Sequence, residues 1–154
     1  MKGRQMIDTA FKTILIGDNG STEAERAMKV AVSLAGSLKS KLIVLGVLTP
    51  PSAESQAEGY GLDSAEKART MLREKFSRLE EMGRRDGISI ATEIVEGDPE
   101  EMIERRAEAD DVDLIVVGHR DVTRMRRWLE GSTSETLVKK SKTSVLVVRD
   151  GDTD

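Results

Sequence analysis

Short apolar runs alternate with amphipathic segments along the chain. Five runs rich in β-branched residues are predicted to be strands: TILIG (13–17), KLIVLGVL (41–48), ISIATEIV (88–95), DLIVVG (113–118) and SVLVV (144–148). Four of these five runs are almost continuously apolar, which is typical of parallel strands covered by helices on both faces. The run at 88–95 alternates between apolar and polar residues at first, and therefore indicates an edge strand or a half-exposed strand.

Helical periodicity occupies the segments between these strands. From 22 to 38, alanines and leucines recur at steps of three and four, and Thr22 with Glu25 predicts a capping box at the start. The segment 64–85 has the same periodicity. In GDPEEMIERRAEA, Asp98 is predicted to cap a third helix, because a proline and then acidic residues follow it. The pattern therefore predicts strands that are separated by helices.

This alternation is the signature of an α/β domain with a parallel sheet and right-handed crossovers. A further helix is predicted after Gly131, where Ser132 and Glu135 match the capping-box pattern. The segment 49–63, TPPSAESQAEGYGLD, contains proline, glycine and serine without an apolar period. It is predicted to be one long loop.

Composition narrows the class of protein. The 154 residues favour a single domain spanning 1–154, and no apolar run approaches the ~18 residues of a membrane span. The start of the chain lacks the apolar centre of a signal peptide, so we expect a cytoplasmic protein. The chain has no cysteine and one histidine, which argues against thiolate or metal chemistry. A net charge of −4 with well-mixed signs argues against nucleic-acid binding.

Two loops that follow strands are the candidate ligand sites, because parallel sheets bind ligands beyond the carboxyl ends of their strands. In the first loop, Asp18 and Asn19 precede a Gly-Ser turn into a helix. In the second, Gly118 ends a strand and Gly131-Ser132 begins a helix, whose free amide groups suit phosphate. The alternative interpretation is structural: both loops are strand-to-helix turns with capped helices, and the four arginines of the second loop face solvent.

The blocks KTILIGDNGSTEAERAMKVAVSLA, IVLGVL, IVEGDPEEMI, DLIVVGHR and EGSTSETLVKKSKTSVLVV together resemble the universal stress protein family. They follow the family's order and spacing over a core of about 12–148, and we expect flexible tails on either side of it. The resemblance implies a three-layer, doubly wound, five-stranded parallel sheet in the order 3-2-1-4-5, similar to the adenine nucleotide alpha hydrolase fold.

The resemblance also implies a nucleotide site. Residues that would border adenosine, the base and the phosphates are Gly17, Asp18, Asn19, Val47, Val117, Gly118, Gly131, Ser132 and Thr133. The chain departs from the family motif at Asp121, where ATP-binding members have glycine, and at Asn19, where they usually have aspartate. A carboxylate at 121 repels phosphate, so we expect weak ATP binding with Mg²⁺.

Three functions therefore remain open on the sequence. The first is a stress-response module that binds ATP weakly in the crevice between strands 1 and 4, with no predicted catalytic or metal-binding residue and at most slow ATP hydrolysis. The second is a module without ATP that acts through contacts with an unidentified protein partner. The third, which is disfavoured, is a receiver-like domain phosphorylated on Asp18. The edge strand 144–148 is expected to form a homodimer, as the resemblance implies and as exposed apolar edge strands favour.

Overall fold

The computed structural model describes residues 11–18, 24–59, 61–118 and 143–149. Its strands are β1 (Thr13–Asp18), β2 (Lys41–Leu48), β3 (Ser89–Glu96), β4 (Leu114–Gly118) and β5 (Ser144–Val148). Its described helices are α1 (Glu25–Leu38), α2 (Ala53–Ala57), α3 (Leu62–Asp86) and α4 (Pro99–Ala109). All five predicted strands are confirmed, and their boundaries differ from the prediction by at most one residue.

The five strands form one sheet in the order β3-β2-β1-β4-β5, and every neighbouring pair is parallel. This confirms the predicted fold class and strand order. β1 is central: the chain moves from β1 to β2 on one side, and later returns to place β4 on the other side. The strand order therefore reverses between β1 and β4, and this topological switch point is where open α/β sheets bind ligands.

Helices cover both faces of the sheet, and each face has its own apolar core. Because side chains alternate along a strand, Ile14 and Ile16 point to one face while Leu15 points to the other. The first face packs against α1 and α3 through residues that include Ala31 and Phe76. The second face packs against α4 through residues that include Ile103. The three-layer prediction is thereby confirmed.

The amino-terminal ends of β1 and β4 are joined by one side chain. The Asp113 carboxylate accepts hydrogen bonds from the backbone N–H groups of Lys12 and Thr13, both at 2.9 Å. The backbone N–H of Asp113 in turn donates to the Thr13 carbonyl at 2.9 Å. These bonds lie at the start of the strands, so they stabilise the sheet without occupying the opposite, carboxyl-terminal edge.

The segment 49–63 is not the single loop that the sequence predicted. It contains the short helix α2, and α3 begins within it at Leu62. The Ser52 hydroxyl caps α2 by accepting a hydrogen bond from the backbone N–H of Ser55 at 3.1 Å. α2 has no buried residue, so it leaves no apolar period in the sequence.

The predicted capping box at the start of α1 stays a prediction, because its cap residue Thr22 lies outside the described residues. α1 begins at Glu25, with Ala24 at the cap position and no side-chain capping bond. By contrast, Asp98 caps α4 as predicted: its carboxylate accepts from the backbone N–H of Glu101 at 3.3 Å. Within the described part of the chain, no helix is both long enough and apolar enough to cross a membrane.

Candidate functional site

The candidate site is the carboxyl-terminal edge of the sheet around β1 and β4. Ile16 of β1 lies opposite Val116 of β4, so both strands reach this edge side by side. Asp18 is the last residue of β1 and Gly118 the last residue of β4. The ends of β1 and β4 are therefore adjacent in space. These are the two strands after which the sequence predicted ligand-binding loops.

Asp18 is buried although it is charged. The residue is 2% exposed, and its position in the alternating strand directs it to the face covered by α1 and α3. Its Oδ2 atom lies 2.6 Å from the Nζ atom of Lys75, which projects from the middle of α3. Burying an isolated carboxylate is costly, so an ion pair of this kind is what allows a charged residue at this position.

Gly17 points in the opposite direction, towards α4. A Cβ atom on Gly17 would lie 2.6 Å from Cδ1 of Ile103 and 3.2 Å from its Cγ1. The missing side chain is therefore what lets α4 pack closely against the end of β1. This packing explains the glycine by a structural requirement of its own, whether or not a ligand also approaches the backbone there.

The two predicted base-flanking residues lie in the apolar core on the α4 face. Val47 and Val117 are each 3% exposed and belong to the same cluster as Ile103. Gly17 faces this cluster as well. Asp18 faces the opposite layer, so the predicted site residues are divided between the two faces of the sheet at one edge.

The remaining predicted site residues lie outside the described residues. These are Asn19, Gly131, Ser132 and Thr133, together with Asp121, the position that departs from the family motif. The predicted roles of these five residues stay predictions.

Three residues at this edge were missed by sequence reasoning. Lys75 neutralises Asp18, and Arg69, also on α3, pairs with Glu96 at the end of β3. Glu100 is 7% exposed in the first turn of α4, where a helix start favours negative charge. The acidic start of α4 was recognised in the sequence, but nothing there indicated that Glu100 is buried. The two ion pairs join residues 57 and 27 positions apart, so no local spacing signals them.

Comparison with known proteins agrees with this architecture. The sequence model of the "Universal stress protein family" matches residues 10–149. A protein of Staphylococcus haemolyticus that is named for this family is 32% identical over 141 residues, which cover 90% of this chain and 85% of the relative. A second such protein, from Staphylococcus saprophyticus, is 33% identical with 90% and 84% coverage.

Solved structures show the same fold. A universal stress protein crystallised in complex with cAMP is 29% identical, with a TM-score of 0.62, and the match covers 91% of this chain and 98% of that one. The structure of the protein MJ0577, solved to assign a biochemical function, is 28% identical with a TM-score of 0.70 and coverage of 94% and 100%.

Proposed function

The chain belongs to the universal stress protein family, and we propose that it is a stress-response module that binds an adenine nucleotide weakly between the ends of β1 and β4. The single observation that carries this proposal is the adjacency of those two strand ends at the topological switch point. A related protein of 29% identity was crystallised with cAMP, which supports an adenine nucleotide as the class of ligand. The backbone around Gly17 and Gly118 would border the ligand, with ATP and Mg²⁺ as the first candidates.

The described part of the carboxyl edge offers positions for ligand binding, and its carboxylates at the ends of β1 and β3 are held in ion pairs. Among the described residues at this edge, Asp18 and Glu96 both face cations, Lys75 and Arg69 respectively. A general base must lie within hydrogen-bond reach of the proton that it removes, and a carboxylate held in an ion pair is poorly suited to that role. Any ATP hydrolysis by this protein is therefore expected to be slow.

Titration calorimetry with ATP, cAMP and adenosine tests the proposal. We expect measurable binding of at least one adenine nucleotide, with dissociation constants in the range from about 10 µM to about 1 mM that weak sites show. Asp121→Gly restores the family's glycine and is expected to strengthen ATP binding, because it removes a carboxylate that repels phosphate. If the natural chain binds no adenine nucleotide at millimolar concentration, the nucleotide proposal is wrong; binding gained by Asp121→Gly would then show that the side chain at 121 is the obstacle.

The structure contradicts the receiver-like alternative. Receiver domains of the CheY type have the strand order 2-1-3-4-5, whereas this sheet has the order 3-2-1-4-5. The Asp18 side chain is also 0% exposed and paired with Lys75, so its carboxylate does not face a phosphodonor.

The second candidate function is a dimeric protein-interaction module, and the difference between the two edge strands favours it. On β5, Val145 and Val147 are 45% and 41% exposed. On β3, the exposed Glu93 and Glu96 pair with arginines, and charged residues of this kind discourage strand pairing. We propose that β5 (Ser144–Val148) is the edge through which two copies associate, so that dimerisation is compatible with either function.

Sedimentation at high micromolar concentration tests the dimer. Val147→Lys introduces a charge on the exposed apolar side of β5 and is expected to give a monomer. Ser89→Lys is the matched control, because it places the same charge at an exposed position of the other edge strand and is expected to leave the dimer intact. A natural chain that sediments as a monomer, or two variants that behave alike, would contradict association through β5.

A further inference from the structure

The ion pair between Asp18 and Lys75 places a negative charge and its neutralising partner at the proposed binding edge. Asp18 ends β1, the central strand, and its side chain is 0% exposed. Lys75 is 25% exposed, so the cation lies between the buried carboxylate and solvent. The two charged atoms are 2.6 Å apart, which is the distance of a charge-assisted hydrogen bond.

From this geometry we propose that Lys75 determines which ligand charge the crevice accepts, by cancelling the field of Asp18 at the carboxyl end of β1. The inference rests on the proposed nucleotide function and adds a residue that lies outside the family motif. With Lys75 present, the pair has no net charge, and a ligand carrying several negative charges meets no repulsion from it. Without Lys75, the same ligand would approach a carboxylate that has lost this cation, in a partly desolvated position where charges interact more strongly than in water.

The packing of α3 against the sheet fixes where Lys75 lies relative to Asp18. Its neighbour Phe76 is 3% exposed and packs against the sheet, where a Cβ atom on Gly46 would lie 2.9 Å from the Phe76 ring. Gly46 is itself the β2 partner of Asp18, so Phe76 fixes α3 beside the residue that Lys75 neutralises. The packing of Phe76 therefore sets the height of Lys75 along the strands.

An electrostatic role makes a prediction that a purely structural role does not make. Lys75→Met leaves Asp18 without this cation, so binding should weaken in proportion to ligand charge: on the order of tenfold for ATP, less for AMP, and about twofold or less for uncharged adenosine. Asp18→Asn leaves the cation without this carboxylate, so ATP binding should strengthen by a few-fold, about threefold or more. A structural role would weaken the binding of all three ligands in both variants.

Three further variants serve as controls. The double variant Asp18→Asn/Lys75→Met has a neutral pair again and is expected to bind ATP within about threefold of the natural chain. Lys75→Arg keeps the charge and should retain the affinity for ATP. Lys67→Met removes the same charge from an exposed position on the same helix and should change ATP affinity by less than about twofold, because exposed charges are screened.

Calorimetry of this set at low and high salt, with circular dichroism to verify folding, separates the possible results. If the natural chain binds ATP and Lys75→Met weakens the binding of ATP, AMP and adenosine equally, Lys75 does not set the preference for ligand charge, while the proposed nucleotide function stands. If the natural chain binds none of them, the proposed function fails; ATP binding acquired by Asp18→Asn would then support the charge assignment alone. The absence of such a gain would overturn both. If Lys75→Met fails to fold, the comparison of Asp18→Asn with the double variant decides the same question.

Discussion

The contact between Gly17 and Ile103 allows a sharp test of how the end of β1 is packed. Gly17→Ala would place a methyl group 2.6 Å from Cδ1 of Ile103, closer than packed carbon atoms approach one another. Gly17 is not among the described glycines with positive φ, so the backbone itself accepts alanine. The effect of the substitution therefore comes from side-chain packing between β1 and α4.

The expected magnitude for Gly17→Ala follows from two contributions. Overpacking a core costs about 1–3 kcal/mol, and the value for Gly17→Ala should be near 1.5 because Cδ1 is the flexible end of its side chain. Alanine regains about 0.5 kcal/mol that glycine loses within a strand. Gly17→Ala should therefore destabilise the protein by about 1 kcal/mol. Ile103 is 1% exposed, and Ile103→Val should also cost about 1 kcal/mol.

The double variant should be more stable than the sum of these losses predicts. Ile103→Val removes the Cδ1 methyl group with which the Cβ of Ala at position 17 would overlap. That Cβ then partly fills the space that Cδ1 occupied. Additivity predicts a loss of about 2 kcal/mol, whereas we expect about 0.5, which is a coupling energy of about 1.5 kcal/mol.

Urea denaturation followed by circular dichroism measures the free energies of unfolding of the natural chain, the two single variants and the double variant. The four values can be compared if the m-values are unchanged. Gly46→Ala combined with Ile103→Val is the control pair. The Cβ of residue 46 would meet Phe76 and Leu72 on the opposite face of the sheet, so these two losses should add within about 0.5 kcal/mol. Additive losses for Gly17→Ala and Ile103→Val would refute the packing argument, and so would a Gly17→Ala variant that is more stable than the natural chain.

Three other substitutions test separate contacts by the same denaturation experiment. Asp98→Ala removes the side-chain cap of α4 and should cost about 1 kcal/mol; no measurable loss would show that the cap contributes nothing. Asp113→Ala removes both hydrogen bonds to the start of β1 and should cost about 1–3 kcal/mol. This loss should exceed that of Asp98→Ala; a smaller loss would contradict a stabilising role for Asp113 at the amino-terminal ends of β1 and β4. Arg105→Ala breaks an exposed pair with Glu101 within α4 and should change stability by less than about 0.5 kcal/mol; a loss as large as that of Asp98→Ala would mean that the pair is not simply screened by solvent.

The strands were predictable because the burial of a strand determines the pattern of apolar and polar residues along it. β2 and β4 are buried along almost their whole length, and they appear as unbroken apolar runs. β3 is less buried and lies at an edge, which its early alternation indicated. α2 was not predictable in this way, because it buries no residue and is marked only by the Ser52 cap. Periodicity detects a helix by the face that it buries, so a short surface helix escapes it.

The adjacency of the two strand ends was predictable, whereas the side-chain contacts around them were not. A parallel strand that ends in Gly-Asp at the centre of a doubly wound sheet points to the edge proposed here as the ligand site, because topology brings the ends of β1 and β4 together there. The side chain that pairs with Asp18 could not be inferred, because Lys75 lies 57 residues away in the sequence. No sequence pattern distinguishes it from the other lysines of an amphipathic helix. The burial of Asp18 likewise depends on how α3 packs, which is a property of the tertiary structure.

The alternation of side chains along β1 separates two physical effects at adjacent positions. Gly17 faces α4, where the absence of a side chain permits close packing, and Asp18 faces α3, where Lys75 balances its charge. A substitution at 17 should therefore change stability and couple to Ile103, whereas a neutral substitution at 18 should change ligand charge preference and couple to Lys75. If the variants at 17 and 18 showed the reverse coupling, the assignment of the two side chains to opposite faces of the sheet would be wrong. Because each coupling is measured by a different experiment, packing and electrostatics at the end of this strand can be assigned independently.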